Sequence, residues 1–190
     1  SVEFRKKSEK KILISGFDPF QLDKNIRAGN PSGAAAIAFD GQSVNQDGVK
    51  ARIEGVVFPV SFDPFDSGIA ERFFKPYMQG AKKADMIIAL GMGIGSSFEI
   101  EEFATRREGA RGLNPNDLPP KQVPSTLPTA AIRGALGRQS TEATAEEKSA
   151  GDFICNDIFY RLALLRNQLD PHMPVGFVHT PSLQPPSGDD

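Results

Sequence analysis

The sequence predicts a three-layer α/β/α sandwich, built around a twisted, mostly parallel sheet in a single domain. Short apolar runs alternate along the chain with amphipathic helical stretches, which is the order that parallel α/β domains require. The chain has 190 residues, and about 100–200 residues form one domain with one full core. We find no internal repeat and no heptad pattern, so these apolar runs carry the prediction.

Four apolar runs predict strands that are buried on both faces of the sheet. Each run is rich in β-branched or other large apolar residues and lacks the polar alternation of a half-exposed strand. Each is followed closely by glycine or proline, which punctuate regular structure. The four predicted strands are residues 11–15, 53–58, 86–90 and 175–179.

Four stretches between these strands predict helices. Serine and aspartate are good N-caps, and proline suits the first helical turn. We therefore expect Ser32 to cap a helix over 33–39 and Ser67 to cap one over 68–78. Two more are expected, one over 128–136 that begins at a proline and one that Asp152 caps and that runs to about residue 165.

The ends and one internal segment lack these patterns. We expect residues 1–10 to be a flexible arm or residues added for expression, 11–181 to be the folded domain and 182–190 to be a disordered tail. The segment 106–128 is rich in proline and charge, which predicts a long functional or mobile loop.

Composition limits the classes of function. The chain has 22 basic and 24 acidic side chains and a formal charge of −2, with no basic footprint for nucleic acid. The uncharged stretch 86–98 is shorter than the roughly 20 residues that span a bilayer, and no secretory signal pattern opens the chain. We therefore expect a cytosolic protein that binds neither nucleic acid nor membrane. One cysteine and two histidines exclude an internal disulfide and are too few for a typical structural zinc site.

The single cysteine, Cys155, begins the fourth predicted helix. Unpaired amides and the positive end of the helix dipole favour a thiolate at such a position, although a lone cysteine is also a common core residue. His179 ends the last predicted strand, on the ligand side of a parallel sheet, while His172 lies in a loop. A thiol and an imidazole together indicate a nucleophile and its base.

A third group would have to orient that imidazole. The segment FEIEEFATR supplies Glu99, Glu101 and Glu102 among apolar neighbours, where a carboxylate needs a partner. The preceding GMGIG, residues 91–95, is a weak indication of phosphate binding because it lacks the rest of a dinucleotide or P-loop motif.

Five motifs, in this order, resemble the pyroglutamyl-peptidase I family, the pyrrolidone-carboxylate peptidases. They are GFDPF at 16–20, NPS at 30–32, the glycine-rich turn after 86–90, SAGDFICN at 149–156 and GFVHTP at 176–181.

The resemblance implies a cytosolic cysteine exopeptidase that removes N-terminal pyroglutamyl residues from peptides with a Cys-His-Glu triad. No metal or cofactor is implied, and the resemblance is compatible with a homo-oligomer. Cys155 matches the family's nucleophile and His179 its base. Glu101 matches the carboxylate when the apolar positions are aligned, and Glu102 is the alternate.

The resemblance also implies a substrate pocket. Phe17 and Phe20 from the first loop would line it with Phe153 and Ile154, although the last two also fit a packed helix start. Arg111 would help to stabilise an oxyanion.

One departure concerns the same pocket, because Met92 stands where the family has glutamine. It motivates an alternative in which the protein is a family-like but inactive binding or structural module. A nucleotide-binding domain built on GMGIG is the third and weakest hypothesis.

Overall fold

A mostly parallel sheet forms the centre of the protein in a computed structural model that describes residues 9–26, 28–113, 120–138, 143–146 and 152–182. Within these residues the sheet has seven strands in the spatial order β2-β3-β1-β4-β9-β5-β8. Strands β2 and β5 run antiparallel to their neighbours β3 and β9, and the other pairs are parallel. The seven strands are β1 (Lys10–Phe17), β2 (Ser43–Gln46), β3 (Val49–Phe58), β4 (Met86–Met92), β5 (Phe98–Glu101), β8 (Ala143–Glu146) and β9 (Val175–Thr180).

Five helices of the described residues cover the two faces of this sheet. One face packs on α1 and α4, and the other on α2, α3 and α5. The predicted three-layer α/β/α class is therefore confirmed. The helices are α1 (Pro31–Phe39), α2 (Phe62–Asp66), α3 (Ile69–Met78), α4 (Thr129–Arg138) and α5 (Ile154–Leu169), and a separate two-stranded sheet pairs β6 (Phe103–Thr105) with β7 (Gln122–Pro124).

The apolar runs are buried on both faces, as their composition predicts. In β9, Phe177 packs in the cluster that holds α5, while Val178 faces the opposite layer with Ile100 and Leu127. In β1, Leu13 and Ile14 divide in the same way between the two layers. Burying each large apolar side chain contributes about 1.5–3 kcal/mol, so the central strands are the most firmly held part of the fold.

The predicted cap of α1 is wrong. Asn30, not Ser32, is the N-cap, and its side-chain oxygen accepts a hydrogen bond from the Ser32 amide. Pro31 follows at the first helical position, where its missing N–H costs nothing. The Ser32 hydroxyl instead donates to Asn30 and accepts from the amide of Phe17, so it ties α1 to the end of β1.

Two further predicted caps are also wrong. Ser67 closes the short helix α2, and Gly68, in the left-handed conformation with φ of 79°, precedes α3. Phe153 occupies the N-cap position of α5, one residue after Asp152, with no side-chain hydrogen bond to the helix. No side chain of the cap residue therefore occupies the backbone amides in the first turn of α5.

Two strands lie in polar segments where the composition predicted none. Strand β8 lies in the polar stretch before residue 149, and β7 lies inside the expected loop 106–128. Strand β8 is a sheet edge with one neighbour, β5, so it does not need the two-sided apolar burial of a central strand.

Residues next to both predicted boundaries contact the folded domain. Lys10, expected in the arm, opens β1 opposite Ala51. Ser182, expected in the tail, donates its amide to Gly95. Residues 1–8 and 183–190 lie outside the described residues. No helix in the described part of the chain is long and apolar enough to cross a membrane.

Candidate active site

Three chain segments meet at one edge of the sheet. His179 is the penultimate residue of β9, Cys155 is the second residue of α5, and Gly91 of β4 is the register partner of His179. The carboxyl ends of parallel strands and the N-termini of helices on the sheet gather at this edge, which is where ligands of such folds bind.

A carboxylate is hydrogen-bonded to the imidazole. Glu101 Oε1 lies 2.8 Å from His179 Nδ1, and Glu101 is only 2% exposed. Strand β5 runs antiparallel to β9, with Glu99 opposite His179 and Glu101 opposite Phe177. Residues two apart share a face of a strand, so both glutamates face the imidazole. Glu102 is exposed on the other side of the chain.

The imidazole is held in its charged form. Burial alone would lower the pKa of His179, but hydrogen bonds to Cys155 and Glu101 outweigh that desolvation and raise the pKa to about 9. The ordinary value is about 6.5. An imidazolium at neutral pH therefore stands between the sulfur of Cys155 and the carboxylate of Glu101.

Glycine at position 91 makes room for the thiol. A Cβ on Gly91 would lie 2.8 Å from Cys155 Sγ and 2.5 Å from the Phe177 ring, closer than real side chains approach. A Cβ on Gly93 would lie 3.2 Å from the Cβ of His179, and the Gly93 amide donates to Thr180. The glycines of GMGIG thus have a steric role beside Cys155 and His179, and this role accounts for the motif without a nucleotide.

A largely apolar cavity of about 500 Å³ opens beside these groups. It brings together the expected Phe17, Phe20, Met92, Phe153 and Ile154 with Cys155, His179 and Glu101. Sequence reasoning did not place six further residues in this lining, although four of them lie in segments that it singled out: NPS, GMGIG and the acidic segment. These six are Gln21, Asn30, Val60, Gly93, Ile94 and Glu99.

Phe153 and Ile154 play different structural parts. Ile154 is 7% exposed and packs in the core as well as lining the cavity, whereas Phe153 is 75% exposed. Packing in the core is therefore the wrong interpretation for Phe153. Together with the exposed Ile94 it forms an apolar rim at the cavity.

Arg111 is not at the cavity, which corrects the expectation that it supports an oxyanion. Its amide and its Nε bind the two carboxylate oxygens of Asp66 at 3.1 and 3.4 Å, and its side chain is 74% exposed. Asp66 lies 45 residues earlier in the sequence, and this long-range partner draws the guanidinium away from the site.

Asp66 belongs to a second cluster, which we call the Arg161 network. Arg161 is fully buried and its guanidinium binds Asp157 at 2.9 Å, Glu71 at 3.0 Å and Asp66 at 3.1 Å. Arg107 adds a 2.6 Å bond to Asp66. Burial opposes the charge of Asp66, but its bond from the Arg111 amide and the neighbouring guanidinium charges lower its pKa below the usual value.

Three side chains with oxygen or nitrogen donor atoms also converge at the site. Donor atoms of Glu99, Glu101 and His179 lie within 4.8 Å of one another, the only such group within the described residues. The Nδ1–H of His179 donates to Glu101, so a cation at Nδ1 would have to displace that proton.

The fold and this grouping of thiol, imidazole and carboxylate define the class of cysteine-type hydrolases. A family model described as "PA0049, C-terminal domain" matches residues 11–150, a range that ends before Cys155. The uncharacterized protein PA0049 of Pseudomonas aeruginosa is 36% identical over 113 residues, which are 55% of this chain and 20% of that protein.

Relatives of known type are matched over nearly the whole chain. Pyrrolidone-carboxylate peptidase 1 of Ralstonia nicotianae is 30% identical over 90% of this chain and 78% of its own length. The crystal structure of Bacillus amyloliquefaciens pyroglutamyl peptidase I superimposes with a TM-score of 0.72 at 25% identity, over 91% of this chain and 82% of that one. The chain belongs to the pyrrolidone-carboxylate peptidase family, so the predicted family and its class, the cysteine-type omega peptidases, are confirmed.

Proposed function

We propose that the protein hydrolyses the N-terminal pyroglutamyl residue from peptides through an acyl-enzyme on Cys155. The observation that carries the proposal is the convergence of Cys155, His179 and Glu101 in the wall of one apolar cavity, with a 2.8 Å hydrogen bond between His179 and Glu101. Relatives that cover most of the chain bear the name of this activity.

The first half of the proposed reaction forms a thioester. With Nδ1–H donating to Glu101, the imidazole has Nε2 left for Cys155. The proton of the thiol passes to Nε2, which gives the thiolate–imidazolium pair that reacts. The sulfur attacks the pyroglutamyl carbonyl carbon, and the C–N bond to the next residue breaks. The imidazolium gives its proton to the leaving nitrogen, which departs as the amine of the shortened peptide.

The second half consumes one water molecule. His179, now neutral, takes a proton from water as the oxygen attacks the thioester carbonyl. The C–S bond breaks, pyroglutamate leaves and the thiolate–imidazolium pair is restored. Glu101 acts throughout as the partner that orients the ring and stabilises its charge.

Backbone amides at the start of α5 are the proposed oxyanion donors. Amides of the first helical turn have no partner inside the helix and carry the positive end of its dipole. Cys155 is the second residue of this helix and no side chain caps it. The backbone amide of Cys155 is therefore close to the position where the substrate's carbonyl oxygen becomes negatively charged when Sγ attacks.

The cavity suits a compact, uncharged lactam ring. Its described lining residues include no lysine or arginine, and its phenylalanine and isoleucine side chains supply apolar contacts. A few polar groups, including Asn30 and Gln21, are available for hydrogen bonds. Because the nucleophile is the chain's one cysteine and must stay reduced, we propose that the protein acts in the cytosol.

Hydrolysis of a fluorogenic pyroglutamyl amide under reducing conditions tests the proposal. We expect turnover by the wild type, at least 1,000-fold less by Cys155→Ser, on the order of the loss when a triad member is removed, and none with the matched prolyl amide. Circular dichroism of both proteins is the control for folding. A folded wild type without turnover would contradict the proposal and favour the inactive binding module.

A further inference from the structure

A second carboxylate faces the imidazole from the same strand. Glu99 is the register partner of His179, and its Oε2 lies 3.7 Å from Nδ1, compared with 2.8 Å for Glu101. Glu101 is almost fully buried, whereas the Glu99 side chain is 24% exposed and lines the cavity. The two contacts therefore differ in kind: Glu101 makes a hydrogen bond, and Glu99 acts at ion-pair distance.

The titratable groups that face His179 come from two elements. Strand β5 supplies Glu99 and Glu101, and helix α5 supplies Cys155. Its own strand β9 supplies the Phe177 ring at 4.8 Å, and β4 supplies Gly91 and Gly93, none of which is charged. In the described part of the chain, no cationic side chain lines this cavity to neutralise the second carboxylate.

We propose that Glu99 is a positioning residue that acts through His179, holding the imidazole protonated and extending the pH range of the reaction on its alkaline side. This inference rests on the proposed function for its catalytic part. An opposite charge within about 4–6 Å favours the charged form of a titrating group, and the partial burial of Glu99 limits the screening by water.

The direction of the effect follows from the role of the imidazolium. His179 must be protonated to give a proton to the leaving amine, so activity falls as pH rises through the pKa of His179. Neutralising Glu99 removes a negative charge that favours the protonated form of His179. The pKa of His179 then falls, and the alkaline limb of the activity profile moves to lower pH.

Nuclear magnetic resonance of the histidine side chains tests the inference without any substrate. The chain has only two histidines, so histidine-labelled protein gives two imidazole titrations, and the His172→Gln variant assigns them. We expect Glu99→Gln to move the His179 titration about one pH unit lower, the small end of the effect of a nearby opposite charge. Glu102→Gln, which removes an exposed charge three residues along, is the matched control and should leave it unchanged.

A shorter carboxylate gives a second, graded variant. Glu99→Asp retains the charge at a greater distance, so its shift should lie between those of the wild type and Glu99→Gln. A His179 titration in Glu99→Gln that coincides with the wild type, in folded protein, would overturn the inference. An equal shift in Glu102→Gln would also overturn it, because the effect would then be one of general surface charge.

The pH profile of pyroglutamyl amide hydrolysis separates this inference from the proposed function. We expect the alkaline limb of kcat in Glu99→Gln to move to lower pH together with the His179 titration. If the wild type shows no turnover but the titration shifts, the proposed function fails and the electrostatic coupling of Glu99 to His179 stands. If turnover is present and the limb does not move, the inference fails and the function stands.

Discussion

Two clusters of buried charge share helix α5 and differ in how their charges are balanced. In the Arg161 network the carboxylates of Asp66, Glu71 and Asp157 contact the guanidinium groups of Arg161 and Arg107, and Arg111 at the rim contacts both Asp66 and the exposed Asp63. At the candidate site one imidazolium faces two carboxylates. In the network several cations face the carboxylates and the pKa of Asp66 is lowered, whereas at the site a single imidazole has its pKa raised to about 9. We therefore expect the network to contribute to stability and the site to transfer protons.

The balanced cluster also positions the unbalanced one. Arg161 joins α5 to α2 and α3, and Asn156, next to Cys155, binds the backbone amide and carbonyl of Thr105 with its side chain. The start of α5 is therefore fixed on two sides. Substitutions in the two clusters should separate these roles. Those in the Arg161 network should change the free energy of unfolding, and those at the site should change turnover.

The largest expected effect is on the balanced cluster. Arg161→Ala leaves Asp157, Glu71 and Asp66 without their shared partner, and removing one member of a buried ion pair costs about 3–5 kcal/mol. We expect the free energy of unfolding in urea to fall by that amount. The matched control is Arg111→Ala, whose exposed side chain should cost less than about 1 kcal/mol. Equal losses in the two variants would contradict the distinction between a buried core and an exposed rim.

The next effect is on turnover. Glu101→Gln keeps an oxygen for the Nδ1 proton but removes the charge that stabilises the imidazolium. We expect kcat/KM for the pyroglutamyl amide to fall about 100-fold, equivalent to about 2.7 kcal/mol of transition-state stabilisation, with little change in the urea midpoint. Glu102→Gln should behave as the wild type. A loss in Glu102→Gln instead would assign the carboxylate role to Glu102.

The smallest effect is the pH dependence of stability, and it has opposite signs in the two clusters. The pKa of His179 is raised in the folded protein, so its contribution is fully present below its unfolded value of about 6.5 and is lost as pH rises through about 9. The pKa of Asp66 is lowered, so its contribution is present above its ordinary value and is lost as pH falls through the lowered one. Urea midpoints measured across pH should decline at both ends.

Two variants separate the two declines. His179→Gln should flatten the alkaline decline alone, and Asp66→Asn the acid decline alone. A variant that changes both ends equally would show that the two clusters are not independent.

The sequence predicts those parts of the fold that depend on burial, and it fails where long-range partners decide. The central strands are apolar because both of their faces are covered, and an edge strand such as β8 carries no such pattern. The prediction of the α1 cap fails because two neighbouring residues could serve as the cap. Asn30 and Pro31 form the helix start, and the Ser32 hydroxyl binds the end of β1 instead.

The candidate site shows the same division. Cys155 and His179 could be chosen because the chain offers so few alternatives, and Glu101 because its apolar neighbours fit a family motif. The pairing of Arg111 with Asp66 and the position of Glu99 opposite His179 both depend on contacts between distant segments. Neither contact has a local signal, since the register between β5 and β9 is set only when the sheet forms.

The most direct test of the central claim, that Cys155 carries the acyl group, is mass spectrometry of protein quenched in acid during turnover of an activated pyroglutamyl ester. We predict that the peptide containing Cys155 gains the mass of one pyroglutamyl group, that hydroxylamine removes it, and that Glu101→Gln accumulates it more slowly. Turnover without any adduct on Cys155, or an adduct on another residue, would contradict the account.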